Sequence, residues 1–210
     1  MIVPYKQTAD AEMNAVIGIS DQVLRNAQPE GLLGDFAADI LLLKAKEYCS
    51  GPSSMNQDIK SADLCVLSSN TFRTSLPKGN ITLGNVFQLM PYDNVIVIVK
   101  MKGPDVKEIL DYIAAKGGVP VAGMKMKIKN NMPDSVLIGD KPFDPLRDYI
   151  VVTTDYLANG GDNMTFYKNA LKRTSTEIKL RDAITVYIKE EFKKGNTIHV
   201  KKDGRVQAAE

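Results

Sequence analysis

Tyr156-Leu-Ala-Asn-Gly-Gly-Asp162 sets an aromatic ring six residues ahead of an acid, with two glycines directly before that acid. Those residue types at that spacing suit a flat polar ligand. The Tyr156 ring can stack on a heteroaromatic face while the Asp162 carboxylate accepts hydrogen bonds from hydroxyls or ring nitrogens. Gly160 and Gly161 can take positive φ and let backbone amides approach closely. A turn in which Asn-Gly-Gly-Asp serves geometry alone fits the same residues. A second tyrosine lies in Pro91-Tyr92-Asp93-Asn94. Two aromatic faces can sandwich one base, each contact contributing roughly 1 kcal/mol. Arg73, in Asn70-Thr-Phe-Arg73, is the outstanding cation. At a strand tip its guanidinium either grips phosphate or carboxylate in a fork or makes a surface ion pair.

Such side chains need rigid elements behind them. The alternating, β-branched run Asp148–Thr154 predicts a strand that delivers the Tyr156 loop. Val95-Ile-Val-Ile-Val-Lys100 does the same behind Tyr92, within a strand over 94–101, and 62–67 reads as the strand preceding Arg73. Leu33, Phe36, Ala37, Ile40 and Leu41 fall at helical spacing and predict a core-facing helix over 33–48, ended by Cys49, Ser50, Gly51 and Pro52. A short helix is expected near 83–88 and a longer one over 104–115, where Pro104 suits the first turn. Gly117 and Gly118 punctuate its exit. Further strands are expected over 121–129 and 135–138, a turn at Pro142–Pro145, and a last helix over 180–193. Residues 197–200 and 205–207 are expected to pair as a hairpin around Asp203-Gly204. Interspersed helices and strands without strict alternation indicate one α+β domain with mixed β-sheets and flanking helices. Residues 1–23 form a leading segment packed on the domain, which occupies 24–210.

At 210 residues with 44% hydrophobic and 25% charged side chains, the chain can bury one substantial core. The net charge of +2 comes from lysines scattered among acids, not a basic face interleaved with aromatics, so no nucleic-acid partner is expected. No apolar run approaches the roughly 20 residues of a membrane span. Met1-Ile-Val-Pro-Tyr5 lacks the basic start and apolar stretch of a signal peptide. Cys49 and Cys65 are read as unpaired thiols, Cys65 as a small core residue in an apolar strand, although a bridge between them is compatible with the spacing.

Taken in order, Gly34-Asp-Phe-Ala-Ala-Asp39, Ser69-Asn-Thr-Phe-Arg-Thr74, Gly79-Asn-Ile-Thr-Leu-Gly-Asn-Val86, Met90-Pro-Tyr-Asp-Asn94, Tyr156-Leu-Ala-Asn-Gly-Gly-Asp162 and Asp203-Gly-Arg-Val206 resemble the C-terminal, substrate-binding domain of the 5′-nucleotidase family. The resemblance runs from about Leu24 to Val206. It implies that Tyr92 and Tyr156 match the two base-sandwiching aromatics, usually phenylalanines. Asn94 and Gly118 match positions near the base, Gly161 and Asp162 the loop whose acid binds ribose hydroxyls, and Arg73 an arginine at the phosphate end. Two departures weaken the phosphate end. Ser68-Ser69-Asn70-Thr71 stands where the family has Asn-Gly-Gly-Gly or similar, and Asn26-Ala-Gln-Pro29 where it has further arginines, leaving Arg25 as the nearby candidate.

Family enzymes pair this domain with an N-terminal metallophosphoesterase domain that holds two divalent metals and activates water. That chemistry needs clustered Asp, His and Asn ligands, whereas the sequence has one histidine, His199. The expectation is therefore no cofactor in this chain and no cleavage by it alone, with divalent metals only in a separately encoded metallophosphoesterase partner. The resemblance also implies a periplasmic, envelope or secreted location. A non-catalytic nucleoside-binding protein and a degenerate structural domain are the alternative expectations.

Overall fold

The computed structural model describes residues 10–51 and 61–209. Its centre is a five-stranded mixed sheet in the order β10-β4-β9-β2-β5. The strands are β2 (Leu64–Val66), β4 (Val95–Lys102), β5 (Val121–Ala122), β9 (Asp148–Thr154) and β10 (Lys172–Lys179). Strands β2 and β9 run parallel, Leu64 opposite Val151, while β4 runs antiparallel to β9 with Ile96 opposite Thr154. The carboxyl ends of β2 and β9 and the start of β4 therefore meet at one end of the sheet, where the candidate residues lie. Ile96, Val97, Ile98 and Val99 are buried in succession, which requires cover on both faces. Helices α1 (Leu32–Ser50) and α3 (Gly103–Ala115) both pack on this sheet. Leu33, Phe36, Ala37, Ile40 and Leu41 of α1 are buried, as their spacing requires.

A two-stranded ribbon pairs β1 (Val16–Ser20) with β3 (Gly79–Thr82), and β3 leads into α2 (Leu83–Leu89). A four-stranded sheet has the order β11-β6-β7-β8, from β6 (Met124–Lys129), β7 (Met132–Ile138), β8 (Lys141–Pro142) and β11 (Val206–Ala208). The short helix α4 (Asp155–Ala158) follows β9, and α5 (Leu180–Lys193) follows β10. Cys65 lies in the core, where burial pushes its thiol pKa up, and both cysteines are free.

Several local expectations are corrected. The run 121–129 is two strands in two different sheets, because Gly123 turns the chain at φ +73° between them. Strand β7 starts at Met132, not at residue 135. The expected turn at Pro142–Pro145 begins within β8. The terminal hairpin does not form. Instead Ile198 bridges Ser20 and β11 lies parallel to β6, Val206 opposite Met126. What diverts the chain is a set of polar contacts. Glu30 accepts hydrogen bonds from the amides of Asp203 and Gly204, and Arg205 reaches Asp39 on α1 and the Val121 carbonyl. The edge strand β10 and the short β3 lack the apolar alternation that marks a strand, and neither was expected.

Candidate functional site

Strand β2 ends in a single 3₁₀ turn at Ser69–Thr71, capped by Ser68, whose hydroxyl accepts from the Asn70 amide at 3.1 Å. Phe72 is then buried, and the Arg73 amide donates to the Leu89 carbonyl at 2.9 Å. Arg73 is thus fixed at its backbone between the end of β2 and the end of α2. Its guanidinium donates to the Tyr92 hydroxyl at 2.7 Å and lies 5.2 Å from the Tyr92 ring centroid.

Tyr92 and Asn94 sit on the loop between α2 and β4. Asp93 anchors it through Lys179 at 2.8 Å and through Arg181, and these hydrogen bonds hold its carboxyl below the usual carboxylate range. The Arg181 guanidinium rests 4.2 Å from the Phe87 ring centroid, and the Asn94 carbonyl accepts from the Leu180 amide at 2.9 Å. The loop is therefore tied to the start of α5, and Tyr92 stays 54% exposed above it.

Strand β9 ends at Thr154, whose hydroxyl caps α4. Asp155 accepts from the Val95 amide at 3.1 Å and from the Tyr156 amide at 2.8 Å, joining the start of β4 to the loop that carries Tyr156. Tyr156 is 51% exposed. Of the two glycines, only Gly160 takes a positive φ, at +94°. The left-handed positions that follow are Asp162 and Asn163, at φ 52° and 64°. Gly161 serves differently: a Cβ there would lie 2.4 Å from the Tyr156 ring, so its missing side chain lets the ring sit down on the backbone. The strained backbone of Asp162 is held from α3, where the Tyr112 hydroxyl donates to the Asp162 carbonyl at 2.9 Å. The Tyr156 hydroxyl donates to Asp162 Oδ1 at 3.3 Å.

These segments enclose a cavity of about 450 Å³ lined by Asn70, Thr71, Arg73, Tyr92, Asn94, Thr154, Tyr156 and Asp162. Five of the seven residues singled out from the sequence line it; Gly161 underlies one of its rings. Gly118 does not line it. Its φ is +108° and a Cβ would meet the Pro29 carbonyl oxygen at 2.3 Å, so it closes the end of α3 against the 28–29 turn. Asn70, Thr71 and Thr154 were not singled out. Asn70 and Thr71 lie inside the quoted Ser69–Thr74 run, while Thr154 looks like an ordinary strand end. A smaller cavity of about 280 Å³ shares Asn70 and Asp162 with the first and adds Gln28, Ser68, Ser69, Tyr112, Lys116, Val119 and Asn163.

A profile of the family described as 5′-nucleotidase, C-terminal domain, matches residues 9–169. The chain belongs to the 5′-nucleotidase C-terminal domain family. It is 28% identical over 196 residues to protein UshA of Escherichia coli, covering 90% of this chain and 33% of that protein. To the trifunctional nucleotide phosphoesterase protein YfkN of Bacillus subtilis it is 25% identical over 224 residues, covering 97% of this chain and 14% of the relative. The chain thus spans a third or less of these curated relatives. A 5′-nucleotidase precursor from Thermus thermophilus superposes with a TM-score of 0.79 at 24% identity, covering 99% of this chain and 42% of that one. The NAD nucleotidase of Haemophilus influenzae does so with a TM-score of 0.73 at 17% identity, over 100% of this chain and 41% of that one.

In this 5′-nucleotidase C-terminal domain, the places expected to carry extra phosphate-end cations are otherwise engaged. Gln28 donates its amide to the carbonyls of Lys116 at 2.6 Å and Gly118 at 3.1 Å, and Arg25 is exposed and lines neither cavity. His199 pairs with Asp21, Nδ1 to Oδ2, at 2.5 Å.

Proposed function

We propose that this chain is the nucleotide- or nucleoside-binding domain of a 5′-nucleotidase-type phosphohydrolase. The observation that carries this reading is the convergence of two exposed tyrosine rings, one guanidinium and one carboxylate on a single cavity. Tyr92 and Tyr156 supply stacking faces for the base, Asn94 a polar contact at its edge, Asp162 an acceptor for the ribose hydroxyls and Arg73 the cation for the phosphate. Gly161 seats the Tyr156 ring, and Gly118 supports the site from outside its lining by closing the end of α3 against Pro29. The name of the curated relative YfkN, a trifunctional nucleotide phosphoesterase, supports the same substrate class.

No hydrolytic step is assigned to these residues. We place the water-activating divalent metals in a metallophosphoesterase unit outside them, either a separate subunit or another part of a longer polypeptide. The cleft face bearing Arg73 and Asp162 would meet that unit. A periplasmic, envelope or secreted location is part of the same reading. No helix among the described residues is long and apolar enough to cross a membrane.

Calorimetric titration with adenosine and then AMP, with divalent metal absent, tests the assignment. Binding of both is expected, and Tyr156→Ala should weaken each about tenfold, as loss of one stacking face requires. Absence of binding by either ligand would remove the reading. The commitment of Gln28 to backbone carbonyls favours a second form of it, a non-catalytic nucleoside binder. That form expects AMP to bind no more tightly than adenosine.

A further inference from the structure

We propose that the hydroxyls of Tyr92 and Tyr156 are positioning groups, each aiming the charged side chain beside it at a different part of the ligand. The proposal rests on the nucleotide-site reading above and deepens it. Stacking needs only a ring, and both rings are about half exposed, so each hydroxyl had water available as a partner. Each is instead engaged by the one charged residue at its end of the cavity: Tyr92 by Arg73 at 2.7 Å and Tyr156 by Asp162 at 3.3 Å.

The donor assignment follows from the groups themselves. A guanidinium has no acceptor, so Tyr92 Oη accepts from Arg73 Nη2 and keeps its own O–H free. That O–H and the remaining guanidinium N–H groups form one composite donor, suited to an anionic oxygen cluster such as a phosphate. A carboxylate has no donor, so Tyr156 Oη donates to Oδ1 of Asp162 and leaves Oδ2 free to accept from a vicinal diol. The Asp162 carbonyl is already held by Tyr112 at 2.9 Å, so Tyr156 supplies the side-chain half of a two-point restraint. Holding each charge in place before the ligand arrives removes part of the ordering cost of binding.

The roles separate by ligand. Tyr92→Phe and Tyr156→Phe keep both rings, and affinities of the parent and each variant are measured calorimetrically for AMP, adenosine and 2′,3′-dideoxyadenosine. Tyr92→Phe should lower AMP affinity about fivefold or more and leave the two nucleosides unchanged. Tyr156→Phe should lower AMP and adenosine affinity by a similar factor and leave dideoxyadenosine unchanged. Equal losses across all three ligands, or no loss with any, would overturn the proposal while leaving the site assignment standing. Failure of the parent to bind any of the three would overturn both. Thermal melts of the variants, expected to match the parent, exclude a folding defect as the source of a selective loss.

Discussion

Gly161 governs where the Tyr156 ring comes to rest. Because a Cβ would stand 2.4 Å from that ring, Gly161→Ala has to push the ring out of its seat, whereas its cost to the fold is limited because the ring is exposed and can swing into solvent. The expected result is a loss of adenosine affinity of about tenfold by calorimetry, with a melting temperature close to the parent's. At this scale the sequence pointed to residues that the fold gathers on one cavity, because two tyrosines at strand ends and an acid behind two glycines stand out together where each alone would fit a plain turn. It was uninformative about Tyr112, which looks like one more residue of a core helix, and about the close approach of Pro29 that requires a glycine at Gly118.

At the scale of elements, α2 does more than fill space. It opens with a reciprocal cap in which the Thr82 hydroxyl accepts from the Asn85 amide and the Asn85 side chain accepts from the Thr82 amide. It closes with the Leu89 carbonyl on the Arg73 amide. Thr82→Ala should cost about 1 kcal/mol, measured as a lower denaturant midpoint at unchanged slope. Helices α1 and α5 were legible because apolar residues recur in them at helical spacing, and strands β4 and β9 because each is a run rich in β-branched residues. Strand β10 was not: Lys172–Lys179 lies at the sheet edge, where one side needs no apolar neighbour, so its residues stay polar. The misread terminal hairpin has a different cause. Asp203-Gly204 has the composition of a tight turn, but Asp39 and the Val121 carbonyl, which claim Arg205 from elsewhere, are distant in sequence and leave no local mark.

Across the whole molecule, an ionic clasp gathers around the buried Arg205, with Asp35 buried beside it and Asp39 and Asp203 at the surface. Arg205 holds Asp39 through two hydrogen bonds at 2.7 and 3.0 Å, Asp203 at 3.0 Å, and Asp35 at 3.5 Å, joining the C-terminal strand to α1. Asp35 is 2% exposed, and burial, opposed by Arg205 and reinforced by Glu30, raises its pKa from 3.8 to about 7. The unfolded chain releases this proton at the lower value, so between the two values the folded state binds more protons. The stability that Asp35 contributes is therefore complete below the lower value and lost as pH rises through about 7. Asp35→Asn should abolish that slope: thermal melts from about pH 4 to 7 are expected to show the parent losing ground steadily to the variant. Parallel curves would show that Asp35 does not titrate in this window.

The pairing of Leu64 with Val151 has a temporal consequence. Strands β2 and β9 are neighbours in space but are separated in the chain by residues 67–147, and such distant pairings are the slow ones in folding. The cavity is walled by residues at the ends of both strands, so it has no partial form: helices can appear early, yet there is nothing to occupy until the sheet is closed. Whatever binds there acts on the finished molecule alone, drawing the folding equilibrium forward without guiding the route.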